Sequence, residues 1–275
     1  MPGALAQSNV VANMLFGAIS GSGAAAAAAM GGTIGPMEKK EGYDPVYSAG
    51  VNIASAPTGM LIPPSNLMIV YSTIAGSVSV AALFTGGYVP GILWGLLVMF
   101  LAGVKAKKCG YVAETTNSCK NDGYYYVYDW IILYYVMGYG IYRFAGSDRK
   151  WNAFYYRNRY VILILMNIIL LIVGTFMDPT PAVLIFTPIF LPICQTFGMH
   201  PVQFGIMVTL NLCIGTITPP VGSILFTGAK VGNVKIEQVF KELLPYFGVI
   251  LIVLLLTTCI PAISMTLPTA AGLIQ

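Results

Sequence analysis

Charge is the scarcest ingredient of this 275-residue chain: Asp, Glu, Lys and Arg together make up 9%, against 57% hydrophobic residues. A soluble domain of ordinary composition carries about 25% charged residues, so that class is excluded and the chain reads as an all-α integral membrane protein. Histidine is rarer still, with His200 the single one. The five cysteines, Cys109, Cys119, Cys194, Cys213 and Cys259, lack C-x-x-C spacing, which argues against a metal finger or a disulfide framework. Strand-type alternation is missing, so a helical bundle is expected rather than a barrel. A nucleophile paired with a base, a metal-ligand cluster and a phosphate-binding loop are missing too, so no enzyme is expected. No cleavable signal peptide stands at the start, and the chain enters almost at once what reads as the middle of a domain.

The few charges have a pattern. The net charge of +4 comes from 14 Lys and Arg against 10 Asp and Glu, with the cations mostly between apolar segments. That placement suits cytoplasmic loops and a lipid bilayer with anionic headgroups, and no nucleic-acid partner is expected. The apolar stretches 87–104, 160–177 and 243–261 approach the ~20 residues that cross a hydrocarbon core. The run YYYVYDWIILYYVMGYGIY at 124–142 reads as interfacial aromatic anchoring, with a further helix over those residues.

An offset of 156 residues superimposes two parts of the chain without a gap: Pro36 on Pro192, Gly42 on Gly198, Pro45 on Pro201, Val46 on Val202 and Gly59 on Gly215. The register continues with Pro63 and Pro64 on Pro219 and Pro220, Gly76 on Gly232, Val78 on Val234 and Phe84 on Phe240. This is an internal duplication. Each copy holds an apolar stretch broken by small or polar residues (SGSG at 20–23, DPTP at 178–181), a turn (GYDP, GMHP), and a second broken stretch. The second break contains the proline pair, TGMLIPPS at 58–65 and GTITPPVG at 215–222. Proline removes an amide donor and blocks the helical hydrogen bond, and in hydrocarbon the freed carbonyls must find protein, water or an ion.

Loop charge orients the copies. The first turn, MEKKEGYD, carries Lys39 and Lys40, whereas its partner, ICQTFGMH, has no lysine or arginine. Lys105, Lys107 and Lys108, and later Lys230, Lys235 and Lys241, likewise suit the cytoplasmic side. Two similar units of opposite orientation are the inverted repeats of secondary transporters, whose broken helices meet at a binding site near the midplane. Boundaries follow: a first repeat 1–104 with hairpin 9–36, broken helix 45–71 and helix 87–104; a divergent basic and tyrosine-rich linker 105–159; a second repeat 160–275 with hairpin 160–192, broken helix 201–227 and helix 243–261. If 124–142 crosses, then Arg143, Arg149, Lys150, Arg157 and Arg159 fall outside, against the charge rule; if it does not, the second repeat is not inverted.

The motifs FGAISGSGAAAAAAMG, GYDPVYSAG, IPPS, FMDPT, HPVQFGIMVTLNLCIG and TPPVG resemble the large membrane subunit of tripartite ATP-independent periplasmic (TRAP) transporters, in kind and order over residues 1–104 and 161–268. The resemblance implies an elevator-type carrier in a bacterial inner membrane, multi-pass, importing organic acids such as C4-dicarboxylates or sialic acid. Sodium would be the coupling ion, with no other cofactor. A periplasmic solute-binding receptor would deliver the substrate, and a small membrane subunit would brace the large one. It also implies a re-entrant hairpin and a discontinuous helix in each repeat, together holding sodium. Matched by position, the first sodium site would use Gly17, Ser20, Gly59, Ile62 and Pro64, and the second Gly174, Gly215, Thr218 and Val221. Ser22, Ser65, Asn66, Asp178, Thr180 and Asn211 would be substrate contacts.

Simpler readings stand beside these. Small residues in apolar helices also serve close packing, a Pro-Pro also serves as a kink, Asp178 also suits a helix cap before Pro179, and Asn211 also suits an interhelical hydrogen bond. His200, before Pro201, suits a surface role. The family normally carries further membrane helices before residue 1 and within 105–160, so the scaffold is expected to be incomplete. A transport-inactive fragment that keeps the carrier fold, and a receptor-independent carboxylate carrier, are the alternative functions.

Overall fold

A computed structural model describes residues 3–76, 78–111 and 159–274. The tyrosine-rich run at 124–142, and Arg143, Arg149, Lys150 and Arg157, lie outside the described residues. The chain divides into two compact units, one of Met1–Cys119 with Met166–Gln275, the other of Lys120–Leu165. Among the described residues the second unit holds only the beginning of one helix.

All regular structure among the described residues is helical. Helices α1 (Ala4–Ser20) and α2 (Gly23–Lys40) form a hairpin. Helix α3 (Pro45–Ser55) passes through a single tight turn, Ala56–Met60, and an irregular stretch, 61–65, into α4 (Asn66–Ala75). The long α5 (Val80–Lys108) follows. After the undescribed segment come α6 (Arg159–Phe176), α7 (Pro179–Thr196), α8 (Pro201–Gly215), α9 (Ser223–Val231), α10 (Ile236–Cys259) and α11 (Ala262–Ala270). Helices α5, α7 and α10 are long and apolar enough to cross a membrane.

Local chemistry explains the boundaries. Ser22, Asp44, Ser65 and Ser79 cap α2, α3, α4 and α5, each side chain accepting a backbone N–H of the first turn. Proline opens α3, α7 and α8, where its missing donor costs nothing. The turns after α2 and α7 are built alike: Gly42 and Gly198 sit at positive φ, and Tyr43 N donates to Glu38 O at 3.0 Å as Met199 N does to Cys194 O at 3.1 Å, a Schellman closure. Helix α2 differs from the expected hairpin end at Pro36, for it runs on to Lys40 with Pro36 inside it. Pro36 is exposed there, so the unpaired carbonyl a turn earlier costs little, and the glycine turn ends the helix instead.

The core is a sheath around α8, in which every residue from Val202 to Gly215 is buried. It packs against α4, α5, α7, α10 and α11. Trp94 of α5 is fully buried and donates from Nε1 to Ala54 O at 2.9 Å, and Tyr71 of α4 donates to Pro201 O at 2.7 Å. Burial of these rings supplies apolar contact while their polar tips are satisfied. Outward faces stay apolar, with Ile19 82% and Phe100 68% exposed, as suits a lipid-facing surface. Cys109 is disulfide-bonded, where spacing alone argued against a disulfide framework, while Cys194, Cys213 and Cys259 are free.

Candidate ion and substrate site

Two helix interruptions meet two backbone close approaches. At the first, α1 ends on Gly21, whose φ of 63° turns the chain and whose N–H donates to Gly17 O. The turn leads directly into the cap at Ser22, so the tip consists of Ser20, Gly21, Ser22 and Gly23. Ser20 Oγ lies 3.3 Å from the Ser22 carbonyl and 3.4 Å from that of Gly17, folding the tip on itself. Beneath it, α1 packs on the turn Ala56–Met60. A methyl group placed on Gly59 would lie 2.2 Å from Gly17 Cα and 2.3 Å from its carbonyl carbon. Only glycine at both positions lets the two backbones touch.

The same device recurs in the second half. A methyl group on Gly215 would lie 2.4 Å from the carbonyl carbon of Gly174 and 2.6 Å from its oxygen. Past Gly215 the chain is irregular over 216–222, and Val221 N donates to Thr175 O at 3.3 Å, tying the interruption to the end of α6. Both Pro63-Pro64 and Pro219-Pro220 are cis. The halves approach one another as well, since a methyl on Gly23 would strike Ile224 Cδ1 at 2.3 Å.

Gly17, Ser20 and Gly59 are thus gathered at the first interruption, with Ser22 at the tip and Asn66 against it: a methyl on Gly21 would meet Asn66 Nδ2 at 2.7 Å. Ile62 is half-buried and Pro64 exposed, both on the irregular stretch. Ser65 is buried and donates to Met60 O. In the second half Gly174, Gly215 and Val221 are drawn together, and half-buried Thr218 donates to Ile214 O at 2.8 Å. Asp178 and Thr180 are exposed at the start of α7. Asp178 holds the cap position without a side-chain cap bond. Asn211 lies one turn before Gly215, fully buried, its Nδ2 donating to Asn167 Oδ1 at 2.7 Å and to Asn167 O at 2.9 Å. Its Oδ1 carries no partner.

Sequence reasoning missed a polar bracket behind the first interruption. Asn13 Nδ2 lies 2.9 Å from each of Asn9 Oδ1, Asn52 Oδ1 and Ser55 Oγ, its two N–H groups shared among them, and Asn52 Nδ2 donates to Ala27 O at 2.8 Å. It holds α1, α2 and α3 at one level. The counterpart is Asn167 with Asn211 and Thr258, the Asn167 Nδ2 donating to Thr258 Oγ1 at 3.2 Å. Asn211 falls on Ser55 at the offset of 156 residues, which was the available signal. Chemically, both interruptions present unwound backbone and neutral oxygens, ligands that suit a hard cation.

Interrupted apolar helices whose breaks lie against glycine backbone define a membrane transport protein. Relatives narrow the class. The family model of the tripartite ATP-independent periplasmic transporter, DctM component, matches residues 1–153 and 149–263, and the chain belongs to this transporter family. It is 41% identical to the uncharacterized protein YgiK of Salmonella typhimurium over 335 residues, covering 98% of this chain and 77% of that protein. It is 33% identical to the isethionate TRAP transporter permease protein DctMQ of Oleidesulfovibrio alaskensis, over 96% of this chain and 52% of that protein. It is 29% identical to the C4-dicarboxylate TRAP transporter large permease protein DctM of Pseudomonas aeruginosa, over 98% and 79%. The match to YgiK spans 335 positions against 275 residues here, so at least 60 positions inside it have no counterpart in this chain. The two matched segments overlap at 149–153 and together run through 105–159.

Proposed function

We propose that the chain is the carrier core of a sodium-coupled importer of organic acids, multi-pass in a bacterial inner membrane. Its substrates are small carboxylates or sulfonates of the kinds named for its relatives, C4-dicarboxylates, sialic acid or isethionate. Residues 1–104 and 160–275 act as inverted repeats of an elevator, each supplying a hairpin and a broken helix. Sodium sits at the two interruptions, held by oxygens of Gly17, Ser20, Gly59, Ile62 and Pro64 in one half and Gly174, Gly215, Thr218 and Val221 in the other. Substrate contacts come from Ser22, Ser65, Asn66, Asp178, Thr180 and Asn211. A periplasmic receptor delivers the substrate, and a small membrane subunit completes the assembly.

The observation that carries this reading is the pair of glycine contacts, Gly17 on Gly59 and Gly174 on Gly215. Packing alone asks for small residues between helices. Here the contact falls each time where a helix stops, beside carbonyls that an ion can use. Proteoliposomes holding the chain, its small subunit and its receptor test it. Uptake of a labelled acid driven by an inward sodium gradient, and abolished without sodium, is the expected result. Uptake that persists without the receptor would favour a receptor-independent carrier.

A second reading has its own support. At least 60 positions within the match to YgiK are missing from this chain, so a transport-inactive remnant that keeps the carrier fold predicts sodium binding without uptake.

A further inference from the structure

Away from both interruptions, at the base of the first hairpin, Glu38 in the last turn of α2 is fully buried. The Asn9 amide of α1 and the Ser48 hydroxyl of α3 face its carboxyl. Neither stands at hydrogen-bonding geometry, so both carboxyl oxygens, Asn9 Nδ2 and Ser48 Oγ are left without a partner. Among the described residues the one ion pair is Lys105 with Glu242, so no cation stands within ion-pair distance of Glu38. Asn9, Glu38 and Ser48 border a cavity of about 290 Å³ whose opposite wall is Val231, Gly232 and Asn233, at the end of α9. Lys39 lines the same cavity and is exposed. The remaining surroundings are uncharged: α1 and the turn Ala56–Met60 carry no ionisable side chain, and Tyr43 and Tyr47, which sense the carboxyl, are phenols, neutral at physiological pH. Lys230 and Lys235, flanking the end of α9, are exposed and outside the cavity wall.

A buried carboxylate without a counter-charge costs far more than a buried carboxylic acid. With a proton on one oxygen, Glu38 donates to Ser48 Oγ while the Asn9 amide donates to the other oxygen, so small side-chain rotations satisfy all four orphan atoms with no ion present. The carboxyl belongs to the turn MEKKEGYD, outside α5, α7 and α10, and burial pushes it up from the ordinary carboxylate range to about 7. Ionisation turns the contacts over. Ser48 and Asn9 then both donate to the anion, and the cavity has room for the Lys39 ammonium or for water beside it. Because the opposite wall is the end of α9, filling the cavity acts on the join between the first hairpin and the second half, close to where a methyl on Gly31 would lie 3.1 Å from Val231 Cγ1.

We propose that Glu38 is a proton-binding site whose proton controls how the base of the first hairpin closes on the end of α9. Neutral Glu38 keeps the closed arrangement; loss of the proton draws Lys39 and water into the cavity and loosens it. The site shares no residue with those proposed at the interruptions, and its test requires neither sodium binding nor transport.

Infrared difference spectra of the purified full chain in detergent, recorded as pH is raised from about 5.5 to about 8.5, test the proposal. A protonated-carboxyl band should vanish with a midpoint near neutral pH, and Glu38→Gln should lack it. Ser48 favours the anion, so Ser48→Ala should move that midpoint upward by about one pH unit, and Lys39→Met should move it the same way. The folded chain holds this proton to higher pH than the unfolded chain does, so native thermal stability should fall as pH rises through about 7, and that of Glu38→Gln should fall less. Amide deuterium exchange at the end of α9, corrected for its intrinsic pH dependence, should quicken as the band is lost. Where Glu38→Gln does not fold, the midpoint of Ser48→Ala decides. A near-neutral band that survives in Glu38→Gln, no such band in the native chain, or an unmoved midpoint in Ser48→Ala overturns the proton site. Loss of the band with unchanged exchange in α9 overturns its control of the closure.

Discussion

Replacing Gly59 by alanine adds one methyl group at the most crowded point of the candidate site. Carbon atoms rest at about 3.5–4.0 Å, and the new Cβ would lie 2.2 Å from Gly17 Cα. The obstacle is backbone on α1, so no side chain can swing aside and the hairpin must retreat by about 1 Å or more. Overpacking of this kind costs about 1–3 kcal/mol. The larger effect falls on binding, because cation–oxygen contacts are made at about 2.3–2.6 Å, and a retreat of that size removes hairpin oxygens from reach. Gly59→Ala is therefore expected to lower thermal stability moderately and to abolish the sodium bound at the first interruption, leaving the second. Gly248 is the control: it lies in α10 with nothing within 4 Å of a new methyl, so Gly248→Ala should be neutral or gain about 0.5–1 kcal/mol. Sodium binding by Gly59→Ala equal to that of Gly248→Ala would refute the reasoning.

Three further outcomes are expected. Asn211→Leu removes the donor to Asn167 and should cost about 1–3 kcal/mol; thermal unfolding in detergent measures it, and a change near zero would show the bracket to be idle. Lys105→Met leaves Glu242, only 8% exposed in its side chain, without its partner, and should cost about 3 kcal/mol. The double variant with Glu242→Gln should recover most of that, and additive losses would argue against coupling. Burial holds His200 below its ordinary pKa of about 6.5, and its Nδ1 accepts from Val202 N at 3.2 Å. The unfolded chain then takes up the proton first, so this contribution is full above about pH 6.5 and is lost as pH falls through the folded value. His200→Asn, which keeps a capping acceptor, should flatten that slope, and an unchanged slope would assign it elsewhere.

Pro63, Pro64, Pro219 and Pro220 are legible because a proline pair cannot sit inside a helical ladder, and helices stop short of both pairs. Gly59 and Gly215 are legible as recurring positions, yet nothing local says what they touch: the partner of Gly59 is Gly17, 42 positions earlier. Asn13 escapes notice for the same reason, being a lone amide in an apolar helix whose partners lie 39 and 42 residues on. Glu38 hides differently. In MEKKEG it reads as part of a solvated, charged turn, but α2 continues past Pro36, and the glycine turn at Gly42 closes back on Glu38 O. One more helical turn carries the side chain inward. Such tertiary facts depend on which helices pack together, and periodicity carries no record of that.

Binding and transport can come apart in this chain, and the division of its units says how. Every candidate residue, from Gly17 to Val221, belongs to the unit of Met1–Cys119 with Met166–Gln275, whereas the point where the two family-matched segments overlap, 149–153, belongs to the unit of Lys120–Leu165. Contacts within the first unit already join its two halves, through Gly23 against Ile224 and through α2 against α9. If ions bind at the interruptions, their sites assemble within that one unit, while an elevator stroke would require a fixed partner for the carrier to move against. If the YgiK positions without a counterpart here belong to that partner, sodium should bind and gradient-driven uptake should be absent; restoring those positions should bring uptake back without changing sodium affinity. A chimaera whose sodium affinity rises together with uptake would show instead that those positions build the site.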